Sequence, residues 1–423
     1  MRILVLGSGA REHAIVLALR SEEAAHEVLA APGNAGIARD AALVDVDMLD
    51  PQAVAGFAIA HSVDLVVVGP EAPLIAGVAD ELRERGIPVF GPGRAAAQLE
   101  GSKAFAKRIM SAAGVPTGRA THARTSAEVS AALDAFGAPY VVKADGLAAG
   151  KGVVVTEDRE AAIAHAEAYL PDGPVLIEEF LSGPEVSLFF VSDGDTVRAL
   201  SPAQDFKRAH DGDEGPNTGG MGAYSPLPWL ADRFGGEAQF VQHVTETVAL
   251  PVVRRLDEEG TPFIGLLYAG LILTEAGVRV IEFNARFGDP ETQVVLPRLA
   301  TPLSRLLLAA ATGTLEDEPQ PAFRDDVAVT VVLASEGYPE RPLTGRPVEG
   351  VDDAEAVTGV HVAHAATARR DGDLVTTGGR VLNVVATAAD FATARDRAYD
   401  AVGRIRLEGS HFRRDIAARV ASS

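Results

Sequence analysis

A row of polar side chains in the segment VRVIEFNARFGDPETQ, residues 278–293, has the chemistry needed to hold a metal-bound phosphate. In a strand, alternate side chains share a face. One face would carry Val280, Glu282, Asn284 and Arg286, and the other Ile281, Phe283, Ala285 and Phe287. Mg²⁺ takes carboxylate and carbonyl oxygens, and Arg holds phosphate or carboxylate oxygens in a fork. The alternative is an ordinary strand with one solvated face, but Asn is a poor strand former and Gly-Asp-Pro ends the row.

Two lysines flank a glycine-rich turn in YVVKADGLAAGKGVVV, residues 140–155. Lys143 follows an apolar strand and Lys151 lies within the turn. Glycines let backbone N–H groups approach phosphate oxygens closely, and lysines supply positive charge. A P-loop is excluded because its Gly-Lys-Ser/Thr spacing is missing. The alternative is a hairpin with two surface lysines.

Two further stretches suggest nucleotide or substrate contacts. The first, VLIEEFLSGPEVS at 175–187, places carboxylates at a strand end, where they could accept from a ribose hydroxyl or remain solvated. The second, DGDEGPNTGGMGAYSP at 211–226, is long and rich in Gly, which is typical of a loop that wraps a ligand. A flexible surface loop is the alternative for this second stretch.

The N-terminal stretch RILVLGSGAREHA, residues 2–14, runs from an apolar strand through a Gly-x-Gly turn into a helix. Such a turn binds anions at the helix N-terminus. A dinucleotide fingerprint would need a third Gly where Glu12 stands, so a nicotinamide-dependent oxidoreductase remains only an alternative.

Composition limits the function further. The 423 residues carry a net charge of −21 and no Cys, which argues against nucleic-acid binding through a basic field and excludes disulfides and thiolate chemistry. The apolar runs are only strand-length, and no signal peptide is recognisable, so we expect a cytoplasmic protein without membrane contact.

The elements that must position these residues alternate in type along the chain. Residues 1–92 alternate strands and helices (10–20, 52–61 and 72–85), which predicts a mostly parallel sheet. A helix is expected over 94–114, an α+β unit over 117–190, a polar loop over 200–228 and a helix over 237–259. Two strands, about 263–273 and 278–285, follow. A boundary near 317–325 would precede a small β-rich domain with a helix near 389–406.

These motifs together resemble the phosphoribosylamine–glycine ligase (glycinamide ribonucleotide synthetase) family of the ATP-grasp superfamily. The resemblance is carried by GSGAREHA, APGNAG, GPEAPL, LEGSKAFAK, VVKADGLAAGKGV, EEFLSGPEVS, GPNTGGMGAYSP and RFGDPETQ, in order along the whole chain. It implies a Rossmann-like N-terminal domain (1–101), an ATP-grasp core (102–323) with a mobile lid at about 117–190, and a β-rich C-terminal domain (324–423). The fold class is thus α/β and α+β multidomain.

The resemblance also implies a reaction. ATP would phosphorylate glycine, and the amine of 5-phosphoribosylamine would attack the acyl phosphate to give glycinamide ribonucleotide in purine biosynthesis. ATP and Mg²⁺ or Mn²⁺ are the implied cofactors, and a monomer is expected. The strand FIGLLYAGLIL at 263–273 contributes no acidic metal ligand, so the number of protein ligands stays open.

Site residues follow from the same resemblance. ATP contacts are expected from Lys103, Lys143, Gly150, Lys151, Gly152, Glu178, Glu179, Phe180 and Glu185, and metal ligation from Glu282 and Asn284. The expected catalytic residues are Arg286, Asp211 and Asp289. The expected substrate contacts are Gly9, Arg11, Glu12, Asn34, Glu71, Asn217, Thr218, Gly219 and Gly220, with the N-terminal turn holding the 5-phosphate. Open alternatives are an ATP-grasp ligase with another acid or amine, and a nucleotide-binding regulatory protein without turnover.

Overall fold

A computed structural model describes residues 1–146 and 152–422. Its N-terminal unit is a five-stranded parallel sheet in the order β3-β2-β1-β4-β5. The strands are β1 (Arg2–Gly7), β2 (Glu27–Pro32), β3 (Ala42–Leu43), β4 (Leu65–Val68) and β5 (Val89–Phe90). The helices are α1 (Ala10–Arg20), α2 (Ile37–Asp40), α3 (Pro51–Ala60), α4 (Glu71–Ala76) and α5 (Val78–Glu84). This strand order is the doubly wound topology, in which ligands collect at the carboxyl ends of the strands.

Two predicted helices are each interrupted once. The helix expected over 72–85 breaks at Gly77, which has a left-handed backbone (φ 91°). The helix expected over 94–114 is α6 (Arg94–Gly101) and α7 (Lys103–Ala113), separated at Ser102. Ser102 is extended and its hydroxyl accepts from the Phe105 N–H, so it caps a new helix instead of continuing the first.

The lid forms a small layer of its own. Its elements are β6 (Ala120–Ala123), α8 (Ser126–Phe136), β7 (Tyr140–Ala144), β8 (Val153–Thr156), α9 (Arg159–Tyr169) and β9 (Val175–Glu178). The antiparallel sheet has the order β6-β9-β7-β8 and packs against both helices. Its apolar cluster is separate from the two larger clusters of the remaining chain.

Residues 185–284 supply the central sheet and a side branch. Strands in chain order are β10 (Glu185–Asp193), β11 (Val197–Ala199), β12 (Gln204–Asp205), β13 (Arg208–His210), β14 (Glu214–Asn217), β15 (Gly222–Ser225), β16 (Ile264–Thr274) and β17 (Gly277–Asn284). The central sheet is antiparallel in the order β11-β10-β16-β17. The stretch 200–228, expected to be a loop, instead contains the short strands β12 to β15.

Helices then link the central sheet to the C-terminal region. They are α10 (Leu230–Phe234), α11 (Glu237–Val244), α12 (Leu250–Glu258), α13 (Thr292–Val295) and α14 (Leu303–Thr312). A π-helical turn, Thr245–Ala249, joins α11 to α12, so the helix expected over 237–259 is continuous. Short 3-10 turns occupy Asp211–Asp213, Leu296–Arg298 and Leu315–Asp317.

The C-terminal region is β-rich, as expected. Its elements are β18 (Val327–Ala334), α15 (Val351–Glu355), β19 (Val360–His364), β20 (Thr367–Arg370), β21 (Asp373–Thr376), β22 (Arg380–Ala388), α16 (Phe391–Arg404) and α17 (Ala418–Ala421). Its main sheet has the order β12-β15-β18-β22-β19, so two strands from the 200–228 stretch complete it. No helix in the part of the chain that the structure describes is long and apolar enough to cross a membrane.

Candidate active site

The polar row on β17 exists, but a bulge changes its composition. Glu282 lies opposite Gly270 while Val280 lies opposite Leu271, so Ile281 is an extra residue on β17. A bulge shifts every side chain beyond it to the other face. Val280 therefore packs in the same buried cluster as Phe283, and the prediction that it shares the face of Glu282 was wrong.

Glu282 is surrounded by positively charged side chains. Its removal from water raises the pKa of Glu282, but four cations outweigh this effect and lower the pKa below its ordinary value. These cations, the cation cluster from here on, are Lys207, Lys103, Lys143 and Arg286. Across the sheet, a Cβ on Gly270 would come within 3.3 Å of Glu282 Cγ, so only a small residue fits here. The carboxylate is thus ionised and surrounded by groups suited to phosphate.

Lys143 is held at the base of the lid. Its Nζ lies 2.8 Å from Glu178 Oε2 and 3.5 Å from the Ile281 carbonyl that the bulge exposes. The other Glu178 oxygen lies 3.3 Å from Lys107 Nζ, and Glu178 is buried. Both carboxylate oxygens are therefore paired with lysines, so Glu178 orients two cations, and its expected ribose contact would require one pair to open.

Lys207 and Glu185 form a second ion pair, 2.5 Å apart. Burial lowers the pKa of Lys207, but Glu185 and Asp205 together raise it above its usual range. Burial also raises the pKa of Asp205 to about 7, against the charge of Lys207 and with help from Glu291. The expected nucleotide residue Glu185 is thus positioned by Lys207, which is not among the residues predicted from the sequence.

Arg286 is brought together with Glu71, although the two were predicted for different roles. Arg286 Nη2 lies 2.9 Å from Glu100 Oε1, and Nε lies 3.6 Å from Glu71 Oε2. Nη2 also donates to Asn284 Oδ1 at 3.3 Å. Burial acts to lower the pKa of Arg286, but Glu100 and Glu71 raise it above its ordinary value. The guanidinium remains charged, and its buried Nε has no hydrogen-bond partner among the residues that the structure describes.

The other predicted nucleotide residues differ in their surroundings. The backbone N–H of the predicted residue Lys103 donates to Asp145 Oδ1 at 2.7 Å at the start of α7. The carbonyl of the predicted residue Gly152 accepts from Ala144 N–H at 2.7 Å. Glu179 accepts from Arg119 N–H at 2.8 Å and Nε at 2.6 Å, which is a structural contact. Phe180 is exposed. Gly150 and Lys151 lie outside the described residues.

At the N-terminal turn, Glu12 occupies the position expected for an anion. Its Oε2 accepts from Gly9 N–H at 2.6 Å and its Oε1 from Arg11 Nε at 2.5 Å. Gly7 has φ 127°, and a Cβ there would collide with Glu12 Cγ at 2.5 Å. Arg11 also donates to the Phe287 carbonyl at 3.3 Å. Glu12 is 1% exposed, so the structure does not support its expected contact with a substrate hydroxyl.

Asn34 is a clamp between distant parts of the chain. Its Nδ2 donates to the carbonyls of Ser8 (2.8 Å) and His364 (2.7 Å), and its Oδ1 accepts from Gly36 and Ile37 N–H. All of its side-chain polar atoms are engaged. Its hydrogen-bonding capacity is used within the protein, so the expected substrate contact of this side chain stays a prediction that would require one of these bonds to open.

A cleft of about 480 Å³ lies where the N-terminal turn meets the C-terminal region. Arg380 donates to the Asp289 carbonyl at 2.8 Å and lies 3.2 Å from Asp289 Oδ2, and Gln293 holds Oδ1 at 2.8 Å. The lining of this Arg380 cleft is Ser8, Gly9, Gly33, Asn34, Asp289, 365–368, Thr377, Gly379 and Arg380. It thus combines backbone groups of the Gly-x-Gly turn with a guanidinium.

The predicted substrate loop 217–220 borders this cleft. The Gly219 carbonyl accepts from Arg380 at 2.6 Å, and Gly219 N–H donates to the Tyr338 hydroxyl at 3.0 Å. Thr218 donates through its hydroxyl to the Lys207 carbonyl at 2.9 Å and accepts from Gly220 N–H. Asn217 pairs with Arg208 in the β13–β14 hairpin.

Asp211 lies elsewhere. Its Oδ1 accepts from Arg414 N–H at 2.7 Å, so it joins the hairpin to the C-terminal segment. This contact gives the carboxylate a structural role, and the structure offers no support for the expected catalytic one.

Several functional candidates were missed. Arg380 follows a Gly-Gly pair and Glu100 lies in the last turn of α6, and nothing in the residue pattern distinguishes either from a surface charge. Glu291 is buried and accepts from Tyr268 OH at 2.6 Å. Its position in GDPET next to the polar row was a usable signal. Lys207 lies in QDFKR, just before the predicted substrate loop, and this position was also a usable signal.

Family models match the chain in three consecutive parts. The N domain of phosphoribosylglycinamide synthetase matches residues 1–100, its ATP-grasp (A) domain 101–292 and its C domain 328–419. A relative from Leifsonia xyli subsp. xyli, named phosphoribosylamine–glycine ligase, is 68% identical over 99% of this chain and 100% of its own length. The chain belongs to the phosphoribosylamine–glycine ligase family. It is therefore a ligase of the ATP-grasp type, as the resemblance predicted.

Further relatives of the family agree. A phosphoribosylamine–glycine ligase from Streptomyces coelicolor is 60% identical, with both chains covered completely. The crystal structure of phosphoribosylamine–glycine ligase from Thermotoga maritima superposes with a TM-score of 0.83 at 33% identity, covering 98% of this chain and 100% of that one. The expected fold class, with a parallel N-terminal sheet and antiparallel sheets in the ATP-grasp core, is confirmed.

Proposed function

We propose that this chain joins glycine to 5-phosphoribosylamine through glycyl phosphate, releasing ADP and phosphate. A glycine carboxylate oxygen attacks the γ-phosphorus of ATP and ADP leaves. The amine nitrogen then attacks the carbonyl carbon of glycyl phosphate, loses a proton, and phosphate leaves with the former carboxylate oxygen. The observation that carries the proposal is the ionised carboxylate of Glu282, which lies on β17 and is surrounded by the four residues of the cation cluster. The family names support the choice of acid and amine.

The cation cluster fits a triphosphate. Lys103, Lys143 and Lys207 approach Glu282 from α7, the lid and β12–β13, so three separate elements supply charge at one place. Neutralising charge that develops on a transferred phosphoryl group accelerates such reactions, with about 10²–10³-fold typical for one well-placed group. The chain would hold the phosphates between the lid and the central sheet, and the adenosine near Phe180 and Glu185.

A divalent cation fits the same position. Glu282 and Asn284 present carboxylate and amide oxygens, and residues 1–146 and 152–422 contain no group of three or more acidic or His side chains that could hold a metal ion. Two protein ligands completed by phosphate and water are usual for Mg²⁺, and Mn²⁺ accepts similar donors. A bound ion would neutralise phosphate charge there. Glu282 and Asn284 would hold it, while Arg286 keeps the Asn284 amide oriented.

The Arg380 cleft is proposed as the site of the ribose 5-phosphate. Arg380 supplies a fixed guanidinium, and the Gly9 and Gly379 backbones allow close approach of an anion. Its rim carries Asp289 and leads to the 217–220 loop, which would contact the amine or glycine. Glu12 fills the helix N-terminus itself, so the 5-phosphate is assigned to the cleft and not to that turn.

The proposal is tested by measuring phosphate release with each substrate omitted in turn. Release that requires ATP, glycine and phosphoribosylamine together is the expected result. Phosphate release without the amine, or equal turnover when another amino acid replaces glycine, would contradict the assigned substrates and favour an ATP-grasp ligase with a different acid or amine.

A further inference from the structure

The hairpin β13–β14 precedes the 217–220 loop and has little support of its own. It pairs Arg208 with Asn217 and His210 with Glu214, with a register shift between them. Residues 210–216 are all exposed. A two-stranded hairpin without an apolar face is marginally stable in water. Its orientation must therefore be fixed by contacts from elsewhere in the chain.

Arg413 supplies those contacts from the C-terminal segment. It is 1% exposed, and its Nη1 donates to Asp213 Oδ1 at 2.7 Å and to the Arg208 carbonyl at 3.2 Å. Its Nε and Nη2 form a fork with Asp415 at 2.8 and 2.6 Å. The guanidinium also lies over the Phe206 ring, 4.9 Å from its centre. A buried arginine with every side of its fork engaged is a rigid anchor.

Two backbone contacts extend the anchor to the tip of the hairpin. Gly212 N–H donates to Asp415 Oδ2 at 2.9 Å, and Arg414 N–H donates to Asp211 Oδ1 at 2.7 Å. Residues 413–415 therefore hold the hairpin at its first strand and at its turn. These contacts join segments about 200 residues apart in the chain.

The hairpin continues directly into the Arg380 cleft. Asn217 is the last residue of β14, and Thr218 N–H donates to the Lys207 carbonyl at 2.8 Å. The next residue, Gly219, accepts from Arg380 through its carbonyl. Movement of the hairpin would therefore move the 217–220 loop relative to Arg380.

We propose that Arg413 is a positioning residue for the acceptor substrate, acting through Asp213 and the Arg208 carbonyl to hold the 217–220 loop against Arg380. The inference rests on the proposed assignment of this cleft to the ribose 5-phosphate substrate. Arg413 is not one of the residues that line the cleft, so it should control the affinity for that substrate only through the loop and leave nucleotide affinity unchanged.

The test uses Asp213→Asn, because the Asp213 side chain is 69% exposed and Arg413 keeps Asp415 as its charge partner. Asn also tolerates the left-handed backbone at this position (φ 57°). Arg413→Lys is the second variant, since it keeps the charge and loses the fork. Asp232→Asn, at an exposed position on α10, is the matched control.

The full-length enzyme is assayed in reverse, with glycinamide ribonucleotide, ADP and phosphate forming ATP. In Asp213→Asn, the amide oxygen still accepts from Arg413 but the ion pair is lost, so the KM for glycinamide ribonucleotide should rise about three- to tenfold. The KM for ADP should stay within about twofold, and amide exchange over 212–217 should accelerate. Arg413→Lys should show the same pattern, and Asp232→Asn neither effect.

Each other result has a definite meaning. An unchanged KM for glycinamide ribonucleotide overturns the inference, whether or not the hairpin amides exchange faster. An equal rise in the KM for ADP also overturns it, since that indicates general loosening. If the wild-type enzyme forms no ATP from these three compounds, the proposed function fails instead, and the variants are not needed to show it.

Discussion

The cation cluster around Glu282 and the Arg380 cleft both contain residues that were predicted to be functional. The predicted side chains meet around Glu282, whereas several of those at the cleft are bonded to other parts of the protein. Around Glu282, most of the predicted side chains converge: Lys103, Lys143 and Arg286 all act on its pKa. At the cleft, Asn34 in the lining and Glu12 in the adjacent turn are engaged in internal hydrogen bonds, and Arg380 comes from the far C-terminal region. A polar residue in a ligand-binding motif can thus serve the scaffold just as well as the ligand.

The largest expected effect tests the cation cluster directly. Glu282→Gln keeps the shape of the side chain and removes its charge, so kcat should fall about 10²–10³-fold while the protein stays folded. Steady-state kinetics and circular dichroism measure the two quantities. Glu275→Gln, exposed in the turn between β16 and β17, is the control and should behave as wild type. Full activity in Glu282→Gln would remove the basis of the proposed mechanism.

Asn34→Ala should show whether this side chain contributes to the stability of the protein or to substrate binding in the cleft. It leaves buried carbonyls and N–H groups without partners, so the free energy of unfolding should fall by about 2–3 kcal/mol, measured in urea. The KM for glycinamide ribonucleotide should change little at a temperature where the variant is folded. The control is Gln52→Ala on the exposed face of α3. A raised KM with unchanged stability would instead support the prediction that Asn34 contacts the substrate.

Arg380→Met should have the opposite effect to Asn34→Ala, because it should change substrate affinity more than stability. The loss of a guanidinium from a phosphate site should raise the KM for glycinamide ribonucleotide about 10- to 30-fold and leave the KM for ADP unchanged. Arg370→Met, at an exposed position on β20, is the matched control. If the KM does not respond to Arg380, the 5-phosphate binds elsewhere.

The smallest expected effect concerns pH and the scaffold side of the cleft. Burial, followed by the neighbouring His13 and Arg39, lowers the pKa of His364 to about 3. In the unfolded chain His364 has its ordinary pKa near 6.5, so between pH 6.5 and pH 3 the unfolded chain binds a proton at His364 and the folded chain does not. Above pH 6.5 His364 therefore has no effect on the free energy of unfolding, and as the pH falls from 6.5 towards 3 this free energy decreases progressively.

His364→Gln should therefore make the free energy of unfolding less dependent on pH in this range. Between pH 7 and pH 5 the wild-type protein should lose about 1–2 kcal/mol more stability than the variant, measured by urea unfolding at both values. His122→Gln, which alters an exposed histidine, should retain the wild-type pH dependence. Identical slopes for His364→Gln and wild type would show that His364 titrates normally.

How much was predictable differs between these regions for a physical reason. The residue types of the β17 row, the Gly-x-Gly turn after β1 and the apolar alternation of the N-terminal unit are local properties, and a local pattern specifies them. The exclusion of thiolate chemistry likewise follows from the sequence alone. The helix interruptions at Gly77 and Ser102 were also local, but the apolar periodicity continues across them.

Tertiary structure decided the rest, because it depends on residues far apart in the chain. The bulge at Ile281 arises from pairing with β16, and it moves Val280 away from Glu282. Asn34 reaches His364 across 330 positions, and Arg413 reaches Asp213 across 200. A single sequence does not encode such partners as a pattern, since each side chain has many possible partners and only packing selects one. The sequence therefore determined which chemistry the chain carries, and the fold decided which of its polar residues remain available for it.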